Sequence, residues 1–115
     1  MSEKKWKVKV FDILECIGAI EDYTAGMTHE SFSKNRLVFD AVVRNIEIIG
    51  EASKKIPDDV LARYTEIRWR DVKGMRDIVV HDYIGINKEV VWGVVKNELP
   101  ILKSVVSRMK NEEAG

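Results

Sequence analysis

Apolar residues recur every three to four positions along most of the chain, which is the spacing of amphipathic helices. The first such stretch runs from Trp6 to Ala25 and is followed by Gly26, a residue that favours a helix end. Thr28 then opens a short second helical segment. Patterns typical of β-strands are weak throughout, so the chain is predicted to be all-α. The buried face of the first helix is predicted to hold Val10, Ile13, Leu14, Ile17 and Ile20.

The strongest helical pattern extends from Lys34 to Ile56 and ends before Pro57. Its charged residues share a sector of about 60°, and nearly all of the remaining circumference is apolar. We therefore expect this helix to lie in the interior of the protein. The charged strip is either a solvated face with pairs four residues apart or the lining of a polar cleft, and the pattern leaves both open. The strip consists of Asp40, Arg44, Glu47 and Glu51.

Three further helical segments follow. Residues 57–68 are predicted to form a short helix, and a further helix is predicted from Trp69 to about His81. Asn87 can cap a last helix that runs from Lys88 to about Met109, with a kink at Pro100. We expect one domain over residues 1–115, folded as an up-and-down bundle of about four main helices.

Charge and cysteine content narrow the class of protein. Lys plus Arg and Asp plus Glu both number 19, so a nucleic-acid site would have to be a local basic patch. Cys16 is the single cysteine, which excludes an internal disulfide and a cysteine-cluster zinc site. No stretch approaches the roughly 20 uncharged apolar residues of a membrane span. We therefore expect a soluble, cytoplasmic protein without a membrane partner.

The segment GMRDIVVHDY, residues 74–83, contains an arginine, a histidine, two aspartates and a tyrosine around an apolar triplet. Arg76 and His81 are five residues apart, about 140° around an ideal helix, so they can flank a groove more easily than touch. A purely structural interpretation is also available. Arg76 would pair with a carboxylate, His81 would interact with a helix C-terminus, and Tyr83 would be a half-buried aromatic residue.

The R-x4-H-x-Y spacing of Arg76, His81 and Tyr83 resembles the signature of the HepT-like toxins of the HEPN family. Four further stretches carry the same resemblance, which covers nearly the whole chain. They are YTAGMTHESF at 23–32, AVVRNIEIIGEA at 41–52, the stretch from residue 69 to residue 83, and VVWGVV at 90–95.

The resemblance implies a dimer in which two R-x4-H motifs face one another, and a metal-independent endoribonuclease that needs no cofactor. His81 would act as general acid or base, because its unperturbed pKa lies near neutrality. Arg76 would hold the scissile phosphate and stabilise the transition state. Asp77 would orient its neighbours.

Basic residues that precede the motif can build the local patch that the overall charge does not reveal. They are Arg68, Arg70 and Lys73, with Arg63 farther upstream. The surplus of apolar surface for so short a chain, including Trp6, Trp69 and Trp92, also favours a homodimer.

The resemblance further implies a toxin-antitoxin pair whose antitoxin, a minimal nucleotidyltransferase, attaches AMP to Tyr83. Two other functions stay open from the sequence. One is a non-catalytic helical module that binds a nucleotide or the nucleotidyltransferase, and the other is a scaffold dimer with Arg76 and His81 in internal pairs.

Overall fold

The computed structural model describes residues 5–75 and 87–113. Within these two ranges the chain forms helices and no β-strand, which confirms the all-α prediction. The single domain over residues 1–115 and the homodimer stay predictions. The helices are α1 Lys5–Thr24, α2 His29–Lys34, α3 Arg36–Ser53, α4 Asp58–Leu61, α5 Trp69–Lys73, α6 Lys88–Gly93 and α7 Leu99–Glu112, with a π-helical turn, Val94–Glu98, between α6 and α7.

Helix α1 packs against both α3 and α7 and runs antiparallel to α7. Lys103 Nζ of α7 lies 2.9 Å from Glu21 Oε1 near the C-terminal end of α1. At the opposite end, Lys110 Nζ lies 5.2 Å from the centre of the Phe11 ring. Each large apolar side chain buried between these helices contributes about 1.5–3 kcal/mol to the stability of the fold. The buried residues of α1 are Val10, Ile13, Cys16, Ile17 and Ile20.

Helix α3 packs against α1, α2 and α5 with one face. The prediction that the helix lies in the interior is wrong at its N-terminal end, where Leu37 is 82% exposed. The apolar sector is wider than the face that the neighbouring helices cover. The buried face holds Phe39, Val42, Val43, Ile46, Ile49, Gly50, Ala52 and Ser53.

The predicted start of this helix at Lys34 needs correction, because a break at Asn35 separates α2 from α3. The Asn35 backbone is extended, and its side-chain oxygen accepts a hydrogen bond from the Val38 amide at 3.0 Å. This cap satisfies one of the free amides at the start of α3. The helix also ends at Ser53, three residues earlier than predicted.

The turn between α1 and α2 follows the predicted signals. Gly26 has a φ of 75°, a left-handed conformation that costs glycine little. Thr28 and Ser31 form a reciprocal capping box: the Ser31 amide donates to Thr28 Oγ1 at 3.1 Å, and the Thr28 amide donates to Ser31 Oγ at 3.0 Å.

The kink predicted at Pro100 takes the form of a π-helical turn just before the proline. A proline inside an α-helix clashes with the carbonyl four residues earlier and lacks the amide that would bond to it. The wider π-helical turn accommodates the ring, and the helix resumes as α7 with Pro100 in its first turn.

Residues 57–68 are less helical than predicted, since only Asp58–Leu61 form a helix. The segment is anchored instead by Tyr64, which is 1% exposed. Its hydroxyl is 2.9 Å from Glu112 Oε1 and 3.0 Å from Glu113 Oε2, at the C-terminal end of α7. Arg63 Nη2 lies 2.7 Å from Glu113 Oε1. A buried phenol and an ion pair therefore tie the segment to the end of the chain.

The three tryptophans pack against the hydrophobic core and are buried or partly buried. Trp69 is 9% exposed, and Trp6 and Trp92 are partly buried against the core. The tryptophan argument for a homodimer is therefore wrong for Trp69. Large apolar side chains that are exposed are Val8, Phe11, Tyr23, Leu37, Val90 and Ile101.

None of the helices in the described ranges combines the length and the apolar character that crossing a membrane requires.

We predict that Tyr64→Phe lowers the free energy of unfolding at pH 7 by about 1–2 kcal/mol, because the substitution removes hydrogen bonds to charged groups without opening a cavity. Urea unfolding followed by circular dichroism measures the change. Tyr23→Phe is the matched control, since Tyr23 is exposed, and it should shift stability by less than about 0.5 kcal/mol. Equal stability of wild type and Tyr64→Phe at pH 7 would show that the hydrogen bonds of the Tyr64 hydroxyl do not stabilise the fold.

The stability of the same variant should also depend on pH differently from that of wild type. Burial raises the pKa of the Tyr64 phenol above its ordinary value of 10.0, and the hydrogen bonds to Glu112 and Glu113 raise it further. A raised pKa stabilises the fold below the ordinary value, and this stabilisation is lost as the pH rises towards the raised one. Between pH 9 and 11, wild type should therefore lose more stability than Tyr64→Phe.

Candidate functional site

The residues predicted to carry the chemistry, Arg76, Asp77, His81 and Tyr83, lie outside the described residues. What the structure describes is the chain on either side of them. Met75 closes the first described range, and Asn87 opens the second. The geometry of these two flanks determines where the segment enters and leaves the helical bundle.

The N-terminal flank is held in the core by α5. Trp69, Val72 and Met75 are all buried. The indole Nε1 of Trp69 donates to the backbone carbonyl of Tyr64 at 3.0 Å, so the tryptophan fixes the start of α5 relative to the anchored 57–68 segment. The chain therefore reaches residue 76 from a buried position.

The C-terminal flank is held by a cap and by aromatic packing. Asn87 Oδ1 accepts hydrogen bonds from the amides of Glu89 at 2.9 Å and Val90 at 3.3 Å, which confirms its predicted role at the start of the last helical region. One turn later the Trp92 ring packs on Phe32 of α2, with ring centres 5.0 Å apart. The segment 76–86 is thus joined to two anchored ends.

The three candidate RNA-binding residues lie on α5 or at its start, and two of them are paired with carboxylates. Arg68 Nε is 3.5 Å from Asp71 Oδ2. Lys73 Nζ bonds to Asp58 Oδ1 of α4 at 3.1 Å. Arg70 is exposed and forms no ion pair with the residues that the structure describes. The role of these three residues in RNA binding stays a prediction.

A groove of about 200 Å³ runs between α5 and the beginning of α7 and reaches Met75, the neighbour of Arg76 in the sequence. Among the residues that the structure describes, its charged lining holds three carboxylates and one cation, Arg68. These described residues give the groove a negative charge, which disfavours phosphate. The lining consists of Glu66, Ile67, Arg68, Asp71, Val72, Met75, Glu98, Ile101 and Leu102.

One part of the charged strip of α3 is a solvated face, and the other part lines a polar cleft. Arg36 pairs with Asp40 at 3.6 Å on the solvated N-terminal part, and Arg44 pairs with Glu47 at 3.7 Å. The C-terminal part lines a polar groove of about 440 Å³ between α1 and α3. The lining is Lys9, Arg44, Glu47, Ile48, Glu51, Ala52 and Lys55.

Two cations of this groove, Lys9 and Lys55, were missed by sequence reasoning. Lys55 lies four residues after Glu51, so the helical repeat could have included it. Lys9 comes from α1, and no local pattern connects it with α3. In the described part of the chain, no group of three or more His, Cys, Asp and Glu side chains is arranged to hold a metal ion.

Comparison with known proteins identifies the family to which the chain belongs. Residues 13–109 match the family described as "Ribonuclease HepT-like", which is most of the chain and includes the whole R-x4-H-x-Y segment. The chain therefore belongs to the HepT-like ribonuclease family of HEPN proteins. No solved structure matches the chain in the corresponding search.

Individual relatives agree with this assignment. The chain is 40% identical over 99 residues to "Probable ribonuclease HepT" of Thermococcus cleftensis, a match that covers 86% of this chain and 90% of the relative. It is 38% identical over 100 residues to "Putative RNase MJ0127" of Methanocaldococcus jannaschii, covering 87% and 83% of the two chains. "Putative RNase MJ1216" of the same organism is 36% identical over 115 residues, covering 100% and 95%.

Proposed function

We propose that this protein is a metal-independent endoribonuclease that acts as the toxin of a toxin-antitoxin pair, with Arg76 and His81 as its catalytic residues. The observation that supports the proposal is the family match over residues 13–109, which contains these residues at the R-x4-H spacing. The cytoplasm is the expected compartment, and RNA is the expected substrate.

The chemistry follows from the residue types. His81 as a neutral imidazole removes the proton from a ribose 2′-hydroxyl, whose oxygen then forms a bond to the adjacent phosphorus. The bond from phosphorus to the 5′-oxygen breaks, a protonated histidine returns a proton to that oxygen, and the products are a 2′,3′-cyclic phosphate and a 5′-hydroxyl. Arg76 stabilises the extra negative charge on the phosphorus oxygens, which is the contribution that a metal ion makes elsewhere.

A homodimer would supply both protonation states at once, with one histidine as base and the partner's equivalent histidine as acid. Asp77 follows Arg76 directly in the sequence and would orient the arginine or its neighbours. The exposed Arg70 is the best placed of the three upstream cations to meet an RNA phosphate, since Arg68 and Lys73 are paired with carboxylates.

We predict that Arg76→Gln and His81→Ala each reduce RNA cleavage at least about 100-fold, because each removes a group that acts in the transition state. The measurement is cleavage of a labelled RNA by the purified variants, with helicity checked by circular dichroism. His29→Ala is the matched control, since His29 is the other histidine of the chain. It should cleave like wild type, and so should wild type in EDTA.

Full cleavage by both Arg76→Gln and His81→Ala would remove the proposed site. Absence of cleavage by wild type, with retained binding to a nucleotidyltransferase, would favour the non-catalytic binding module instead.

Regulation is proposed to act through Tyr83. The phenol oxygen would attack the α-phosphorus of ATP in the active site of a nucleotidyltransferase antitoxin, the phenol would lose its proton, and pyrophosphate would leave. The attached AMP adds bulk and a negative phosphate two residues from His81, where it competes with the RNA phosphate for Arg76.

We predict that Tyr83→Phe remains toxic when the nucleotidyltransferase and ATP are supplied, whereas wild type gains mass in AMP units and loses activity. Intact-mass spectrometry and growth assays measure the two effects. Tyr23→Phe serves as the control and should be modified and neutralised like wild type. Normal neutralisation of Tyr83→Phe, or AMP found on Tyr23 or Tyr64, would contradict the role of Tyr83.

A further inference from the structure

A mixed aromatic and basic surface lies where α2 meets α6 and the π-helical turn, directly after the segment that carries the motif. We call it the α2–α6 surface and define it by five residues. They are His29, Ser33, Lys88, Trp92 and Lys96.

The aromatic part of this surface is held in place from the core side. Phe32 packs on Trp92 with ring centres 5.0 Å apart and a 35° angle between the rings, so the indole has a defined orientation. The exposed His29 ring meets the indole edge to face at 6.4 Å and 67°. His29 is exposed and Trp92 is partly buried, so the ring surface that remains accessible is the His29 ring and the part of the indole that Phe32 leaves uncovered.

The basic part consists of two exposed lysines on either side of the indole. Lys96 Nζ lies 5.3 Å from the centre of the Trp92 ring. Lys88 Nζ donates to the backbone carbonyl of Ser33 at 2.8 Å, which leaves two of its N–H groups free. Neither lysine pairs with a carboxylate among residues 5–75 and 87–113, unlike Arg68 and Lys73 on α5.

The spacing of the rings and the cations supports a ligand here. Trp92 and Lys96 are four residues apart, so they lie on the same side of this helical region. Cations that alternate with accessible rings are the arrangement by which proteins bind single-stranded nucleic acid.

We propose that the α2–α6 surface binds single-stranded RNA next to the cleavage site, with unpaired bases against His29 and Trp92 and phosphates at Lys88 and Lys96. This inference rests on the proposed ribonuclease function. Five peptide units separate Tyr83 from Lys88, so the surface begins within about 18 Å of Tyr83 along the chain. An RNA strand that leaves the R-x4-H segment can therefore continue onto it.

The test is the affinity of the protein for a fluorescein-labelled single-stranded RNA 12-mer, measured by fluorescence anisotropy at several salt concentrations. All proteins carry His81→Ala so that the RNA stays intact. The variant is Lys88→Gln with Lys96→Gln. The matched control is Lys110→Gln, because Lys110 is exposed and lies over Phe11 at 5.2 Å with the same cation–ring geometry on a different part of the molecule.

We expect the double variant to bind RNA about tenfold more weakly and its salt dependence, the slope of log K against log salt, to fall by about 1.4, because two phosphate contacts are lost. Lys110→Gln should match the parent in both quantities. RNA binding should also quench tryptophan fluorescence in the parent, and Trp92→Phe should lose most of that quenching.

Equal affinity and equal salt slope in the double variant and the control would overturn the proposal. So would unchanged RNA binding together with lost binding of the nucleotidyltransferase, since the surface would then recognise a protein. Cleavage by the protein with His81 intact is scored separately. If the protein cleaves RNA but the double lysine variant binds RNA normally, only this inference is contradicted. If the double lysine variant binds RNA more weakly but the protein does not cleave RNA, only the proposed function is contradicted.

Discussion

The bundle is assembled around the apolar face of α1, because α3 closes this face on one side and α7 on the other. Ile13, Ile17 and Ile20 have no measurable exposure. Since α3 comes from the middle of the sequence and α7 from its end, burial of this one face brings distant parts of the chain together. The shorter elements then attach to a bundle that is already closed.

The two flanks of the R-x4-H segment attach to this bundle by different means. On the N-terminal side, the buried Trp69 bonds to the Tyr64 carbonyl, and the Tyr64 hydroxyl meets two carboxylates at the end of α7. On the C-terminal side, Trp92 packs on Phe32 of α2. Both described flanks of the segment therefore depend on contacts with residues far away in the sequence.

Sequence patterns predicted the local features well and the extent of burial less well. The Gly26 turn, the Thr28 start and the Asn87 cap each depend on a side chain and its immediate backbone, and all three were predicted. The exposure of Leu37 was not predicted, because the pattern on one helix cannot show which neighbours cover it. The pairing of Lys73 with Asp58 of α4 shows the same limit for charge, since the pattern on one helix cannot show which carboxylate of another helix meets its cations.

Helical periodicity, capping residues and the R-x4-H-x-Y spacing are local features, so the amino-acid sequence was sufficient to predict the helical class, most of the helix starts and the family. Which surfaces form follows from the packing of the helices against one another. The pairing of Tyr64 with Glu112 and Glu113, the meeting of Lys9 with the α3 strip and the contact of His29 with Trp92 each join residues from different elements. The physical reason is that such contacts depend on how helices pack against one another, and packing is set by the shapes of several faces at once and not by any single stretch of chain.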